Sequence, residues 1–280
     1  MRKLILTSGQ LDAYRHEKWR MAVSRQIRTE KEAVKFLNEV GFCLLFACDE
    51  IPLPKMSLSA YSKEWDWWAW KDTLQVKKLC YNSRAIRKKA ALLSMEILPC
   101  FVNLYYASGG VEVYEEEFDY GKLTRPAYDI ADYLYQNGPQ NVADLRRAIF
   151  PHSKQGTRKF HAALQELQLK YKVAVSGLVD KSWGMRVVDL FSHWAPPEIL
   201  KEAEFLTAEE SRQRILRQLL KTSGALVEKD IQRLLGWEPA DVQSTLASLL
   251  DAGELLSLTQ KGEKVPLITA PDLVKYLKSH

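Results

Sequence analysis

Cysteine is scarce in this chain and poorly placed for chemistry. Four occur in 280 residues, Cys43, Cys48, Cys80 and Cys100, with no C-x-x-C spacing and no neighbouring histidine pair. They sit mostly among apolar residues, as reduced core thiols do, so no metal site is expected. Walker and Rossmann glycine loops, the nucleophile elbow and the metalloprotease helix are all missing, which removes the common cofactor classes and predicts no cofactor. No run of eighteen apolar residues occurs, and the start, Met1 to Thr7, has too short an apolar core for a signal peptide. These absences predict a cytoplasmic chain with no membrane partner, and its length suits two or three small domains.

What is present is a pattern that repeats in the second half: three short helices and then a β-hairpin with a charged tip. In the first copy Pro126 to Tyr135 carries Ile130, Tyr133 and Leu134 at helical spacing and stops at Asn137-Gly138-Pro139. Val142 to Phe150 is the second helix. A third runs from Thr157 to about Lys172, with Phe160, Leu164, Leu167 and Tyr171 on one stripe. Strands at Val173 to Gly177 and Met185 to Leu190 flank a hairpin tip, Asp180 to Gly184. The second copy has helices beginning at Thr207, Val227 and Pro239, strands at Leu255 to Leu258 and Val265 to Thr269, and a tip at Gln260 to Lys264. The fold class expected is mainly α with small β-hairpins (α+β), as tandem winged-helix (helix-turn-helix) domains. The expected division is a basic N-terminal arm (1–30), a helical or divergent winged-helix domain with a Trp-rich segment (31–121), a middle winged helix (122–195) and a C-terminal one (198–280).

Charge is unevenly spread along this division. Lys and Arg against Asp and Glu number 9 to 4 over residues 1–35, 9 to 12 over 36–121, 11 to 5 over 122–186 and 11 to 13 over 198–280. A phosphate polymer would therefore be drawn to the middle of the chain, while the slightly acidic last domain suits a protein partner better. Residues 36–121 are split internally. Lys77, Lys78, Arg84, Arg87, Lys88 and Lys89 make a basic run with Tyr81 inside it, and Glu112 to Asp119 make an acidic patch. The segment Trp65 to Trp70 holds four tryptophans, Trp65, Trp67, Trp68 and Trp70, for which packing is the commoner use and stacking on an extruded base the rarer one.

The order of elements then becomes specific. A helix precedes the apolar turn Val40-Gly41-Phe42, a Trp-rich linker ends in Trp70-Lys71-Asp72, a basic stretch holds Tyr81, and Leu145-Arg146-Arg147 precedes Phe160, Leu164, Leu167 and a wing. From about Lys31 onward this resembles the AlkZ-like family of tandem winged-helix DNA glycosylases, associated with alkylated bases and interstrand crosslinks. The resemblance implies a DNA partner and, just after the first helix, a catalytic Gln, an apolar residue and then Gln or Asp. Here that place reads Phe42-Cys43-Leu44-Leu45-Phe46. Leucine can neither position water nor stabilise an oxocarbenium ion, so the family's site is missing or rebuilt. Gln10-Leu11-Asp12 spells the signature but precedes the helix it should follow, and Asp49 and Glu50 are the alternative carboxylates.

For nucleic acid the candidate contacts are Arg158, Lys159, His161 and Gln165 off the apolar stripe of the third helix, where side chains would face the major groove. Arg146 and Arg147, with Lys181 and Arg186 on the wing, would take phosphate. Lys77, Lys78, Tyr81, Arg84, Arg87, Lys88 and Lys89 form a further candidate surface if their segment is helical. Three functions stay open: binding of duplex or damaged DNA without catalysis, an active glycosylase with a displaced carboxylate or Gln, and a winged-helix protein-interaction scaffold or transcriptional regulator.

Overall fold

The computed structural model describes residues 5–61, 67–111, 113–179, 186–260 and 265–280. Trp65, Glu112, Lys181 and nearly all of both expected hairpin tips lie outside the described residues. A short strand β1 (Ile5–Leu6) and helix α1 (Ser8–Lys18) come first. Then follow α2 (Glu30–Val40), β2 (Phe42–Leu44), α3 (Met56–Ser59), α4 (Trp67–Val76), β3 (Cys80–Ser83) and β4 (Ala91–Ser94). Helices α5 (Leu98–Ala107) and α6 (Tyr114–Asp119) lead to α7 (Arg125–Asn137), β5 (Gln140–Asn141), α8 (Val142–Ile149), α9 (Lys154–Leu169), β6 (Val173–Leu178) and β7 (Arg186–Leu190). Helices α10 (Phe191–Trp194) and α11 (Pro197–Phe205) connect to α12 (Ala208–Ser223), β8 (Ala225–Leu226), α13 (Glu228–Leu235), α14 (Pro239–Asp251), β9 (Leu256–Gln260), β10 (Leu267–Thr269) and α15 (Pro271–Ser279).

One order, helix, strand, helix, helix, strand, strand, therefore recurs from α2, from α7 and from α12. In each unit the last strand lies between the other two, giving sheets β2-β4-β3, β5-β7-β6 and β8-β10-β9, antiparallel within each unit. This is the winged-helix topology, and the divergent first unit has it as fully as the others. Local chemistry sets the helix ends. Asn141 caps α8 by accepting from Ala143 N at 2.7 Å, Thr207 and Glu210 close a capping box on α12, and Ser153 caps α9 by accepting from Gly156 N at 2.9 Å. The Ser153 cap starts α9 three residues before the expected Thr157.

Strand β2 explains why the sequence of the first unit lacks an alternating pattern. Phe42 and Leu44 enter a core shared with α5, α11 and α12, whereas Cys43 enters a second core with Phe36, Leu37 and Leu74. A strand covered on both faces has no polar alternation and reads as one apolar run. Gly41 ends α2 at φ +74°, and a Cβ there would come within 2.4 Å of Gln218 on α12, so only glycine allows the first and third units to approach this closely.

The expected basic N-terminal arm is corrected by the structure. β1 adds to the third unit's sheet, pairing in parallel with β9, and Leu6, Leu11, Tyr14 and Trp19 are buried. Tyr14 Oη donates to Lys221 O at 2.6 Å, Arg15 Nε to Ser223 O at 2.8 Å and Trp19 Nε1 to Thr222 O at 2.8 Å. These three donors satisfy carbonyls at the end of α12, where the helix leaves its own acceptors unpaired. The apolar side chains of residues 6–19 outweigh their positive charge in deciding where they go.

Between the first and second units lies a buried ionic cluster. Glu117, fully buried on α6, accepts from the Tyr105 hydroxyl and from Val111 N at 3.2 Å, and pairs with Lys172 at 3.4 Å and Lys170 at 3.6 Å. One carboxylate of the expected acidic patch is thus spent inside the molecule. Among the described residues no helix is long and apolar enough to cross a membrane.

Candidate nucleic-acid interface

The third helices of the three units occupy equivalent places but differ in what covers them. Helix α4 packs on β6 of the second unit, and Trp67, Trp70, Lys71, Asp72, Leu74 and Gln75 are buried. Trp194 Nε1 closes this contact by donating to Gln75 O at 3.0 Å. Helix α14 is open, but its exposed residues include Gln243, Ser244, Ala247 and Ser248, with Asp251 at its end, and no cation. Helix α9 is both open and basic. Lys154, Gln155, Arg158, Lys159, His161 and Gln165 are exposed on it, opposite the buried Phe160, Ala163 and Leu167.

The start of α9 is built tightly. A Cβ on Gly156 would meet Pro151 O at 2.3 Å, so this first turn admits only glycine beside the preceding loop. Arg146, His152, Ser153, Lys154, Thr157 and Arg158 line a shallow depression at that end. The helix dipole and these cations favour an anion on this surface. Arg147 is turned aside: it pairs with Asp144 and donates to Ala143 O at 3.3 Å. Arg186, at the base of the wing, lies 3.3 Å from Asp72 Oδ1 and remains about one-third exposed. Arg84 lies beside it: burial first, and then the charge of Arg186, lowers the Arg84 pKa from its ordinary value.

The basic run is no helix. It crosses the turn after α4, strand β3 and the hairpin between β3 and β4, so it forms the first unit's wing. Lys78, Arg87 and Lys88 have φ of +57°, +47° and +57°, a left-handed backbone that turns the chain. Lys88 and Lys89 are exposed, Lys77 pairs with Glu30, and Arg87 reaches Glu50 at 3.4 Å. Tyr81 is corrected. Strand β3 is covered on both faces, Cys80 entering one core and Tyr81 the other, so Tyr81 is fully buried with its hydroxyl 3.0 Å from Val173 O and 3.2 Å from Gln168 O and cannot touch nucleic acid. Tyr81→Phe is expected to cost about 1 kcal/mol, read as a lower urea midpoint at unchanged DNA affinity. A surface contact would give the reverse.

The four catalytic candidates do not converge. Gln10 Oε1 accepts from Thr7 N at 3.0 Å as part of the capping box of α1, and Asp12 is exposed on the same helix. Asp49 and Glu50 are exposed in the loop after β2, Glu50 already facing Arg87. The strand that should carry the excision signature is closed: Phe42, Cys43 and Leu44 are at most 1 % exposed, and burial pushes the Cys43 thiol far above its ordinary range. Reading the sequence missed Lys55, which is 7 % exposed, pairs through its backbone beside Leu44, and holds its ammonium 5.0 Å from the Trp19 ring. It also missed Phe46. Neither gave a signal, because Lys55 is covered by an element far away in the chain and Phe46 lies in an apolar run that is otherwise core.

No curated protein matches the chain. Among solved structures, the DNA glycosylase AlkZ of Streptomyces sahachiroi is similar, with a TM-score of 0.62 at 12 % identity, over 99 % of this chain and 73 % of that one. At that identity the likeness speaks for the fold, and it runs through all three units and the N-terminal strand and helix that brace them. The family model described as AlkZ related matches residues 27–236, from just before α2 to the end of α13. With the arrangement of its winged helices and this match over most of its length, the chain belongs to the AlkZ-related family.

Proposed function

We propose that this protein binds duplex DNA, damaged duplexes included, through the second winged helix, and does not excise bases. One observation carries the reading: of three equivalent third helices, α9 alone combines exposure with a basic face. Arg158, Lys159, His161 and Gln165 face the groove, Arg146 and Lys154 hold phosphate at the start of the helix, and Arg186 with Arg84 extends the cationic surface along the wing. The neutral-to-acidic face of α14 leaves the third unit to brace the N-terminal residues and to offer a surface to a protein partner.

Affinity for a labelled 20-base-pair duplex, measured by fluorescence anisotropy across a salt series, tests the binding. The logarithm of affinity should fall by about 0.9 per phosphate contact per decade of salt. Salt-independent binding, or none at low salt, would sink it. Catalysis is tested separately. Incubated with alkylated DNA and then hot alkali, the protein should leave strands as intact as the buffer control does, because β2 presents no polar group to a departing base. Strand breaks that disappear with Asp49→Asn or Glu50→Gln would establish a displaced carboxylate instead.

A further inference from the structure

Apolar side chains that remain in water beside cations are the feature that the duplex reading leaves unused. Phe46, in the loop after β2, is 51 % exposed. It meets Trp68, which is half-buried near the start of α4, with ring centroids 5.3 Å apart at 44°. Residues 68, 71 and 72 share one face of that helix. Lys71 Nζ lies 4.0 Å from the Trp68 ring and 2.6 Å from Asp72 Oδ2, and the other oxygen of Asp72 faces Arg186 at 3.3 Å. Lys71 and Arg186 thus flank one carboxylate, and Arg84 lies close enough to Arg186 to feel its charge, an excess of positive charge next to an open pair of aromatic rings. Glu50 and Asp49, on the same loop as Phe46, lie toward Arg87 and Lys55 respectively.

A core has no use for Phe46 half in water, and a duplex reader has no use for it either, since paired bases keep their faces covered. A flat apolar ring pair bordered by cations matches a nucleotide: a π-face to stack and a phosphate to hold. Arg186 also opens β7, so the patch adjoins the wing of the unit that carries α9. We propose that Phe46 and Trp68 form a stacking platform for one unpaired base of a DNA strand whose phosphates lie along Arg186 and Arg84. The platform rests on the DNA-binding reading and adds to it a substrate class, duplexes interrupted by an unstacked base.

The test compares two 20-base-pair duplexes of the same sequence, one perfect and one with a single extra 2-aminopurine in the middle. The wild-type protein should bind the bulged duplex about tenfold more tightly and quench the 2-aminopurine emission. Phe46→Ala should remove both the preference and the quenching and leave perfect-duplex affinity within about twofold, and Phe46→Tyr should restore them. Equal wild-type affinity for the two duplexes, or a Phe46→Ala loss of the same size on both, would overturn the platform while leaving duplex binding in place. No binding to either duplex would overturn both readings.

Discussion

Reversing two charges on α9, Arg158→Glu with Lys159→Glu, is expected to lower duplex affinity by more than about sixtyfold at 0.1 M salt. The magnitude follows from counterion release. Each phosphate neutralised contributes about 0.9 log unit per decade of salt, and a cation held in the groove between the two phosphate walls also displaces a counterion, so losing two costs about 1.8 log units between 1 M and 0.1 M and makes the slope of log affinity against log salt shallower by about 1.8. Repulsion from the new carboxylates adds to this. Both side chains are exposed on the face opposite Phe160, so the fold should survive, with an unchanged urea midpoint as the control. The same reversal on the third unit, Arg233→Glu for example, should change affinity little. An unaltered slope in the α9 variant would place the DNA elsewhere on the molecule.

The largest expected stability effect is at Glu117. Replacing it with Ala leaves Lys172, almost completely buried, without its carboxylate and removes the acceptor for the Tyr105 hydroxyl and Val111 N. Breaking a buried pair from one side costs about 3–5 kcal/mol, because the cation that remains loses its counter-charge and stays out of water. The urea midpoint should fall accordingly. Glu117→Gln keeps an acceptor for Tyr105 and Val111 but no charge for Lys172, so its smaller loss separates hydrogen bonding from pairing. Burial first, and then the hydrogen bond to Glu117, holds the Tyr105 phenol above its ordinary range, so the phenol stays protonated as a donor. The cluster joins α5, α6 and the chain entering β6, and so fixes how the second unit sits on the first. A loss below about 1 kcal/mol in Glu117→Ala would mean that the other partners of Lys172, Val111 O among them, hold its charge in the folded state.

Parts of this were legible in residues alone. The second and third units could be read because each helix is amphipathic on its own, opened by Ser153, Asn141 or Thr207 and closed by Gly138, Gly224 or Gly236. Strands β5 and β8, two residues each, exist only through pairing with a strand far along the chain, and nothing local announces them. The first unit lacked a readable period because β2 is covered on both faces. Within the basic run, Tyr81 reads as a contact because it would share a side with Arg84 if the segment were helical. Its inward direction follows from a strand that local spacing alone does not distinguish from a helix.

What the sequence determined by itself is the set of amphipathic segments, their stops, and the concentration of positive charge in the middle of the chain. These are properties of neighbours within a few residues, where capping, periodicity and local charge act. The tertiary structure decided which surfaces remain. It covered α4 with β6, left α9 in water, drew the basic N-terminal residues onto α12, set Phe46 against Trp68 of α4, and brought Arg186 from another unit to Asp72 on the same helix. Burial and proximity between distant segments depend on the packing of whole units, so no stretch of sequence contains them.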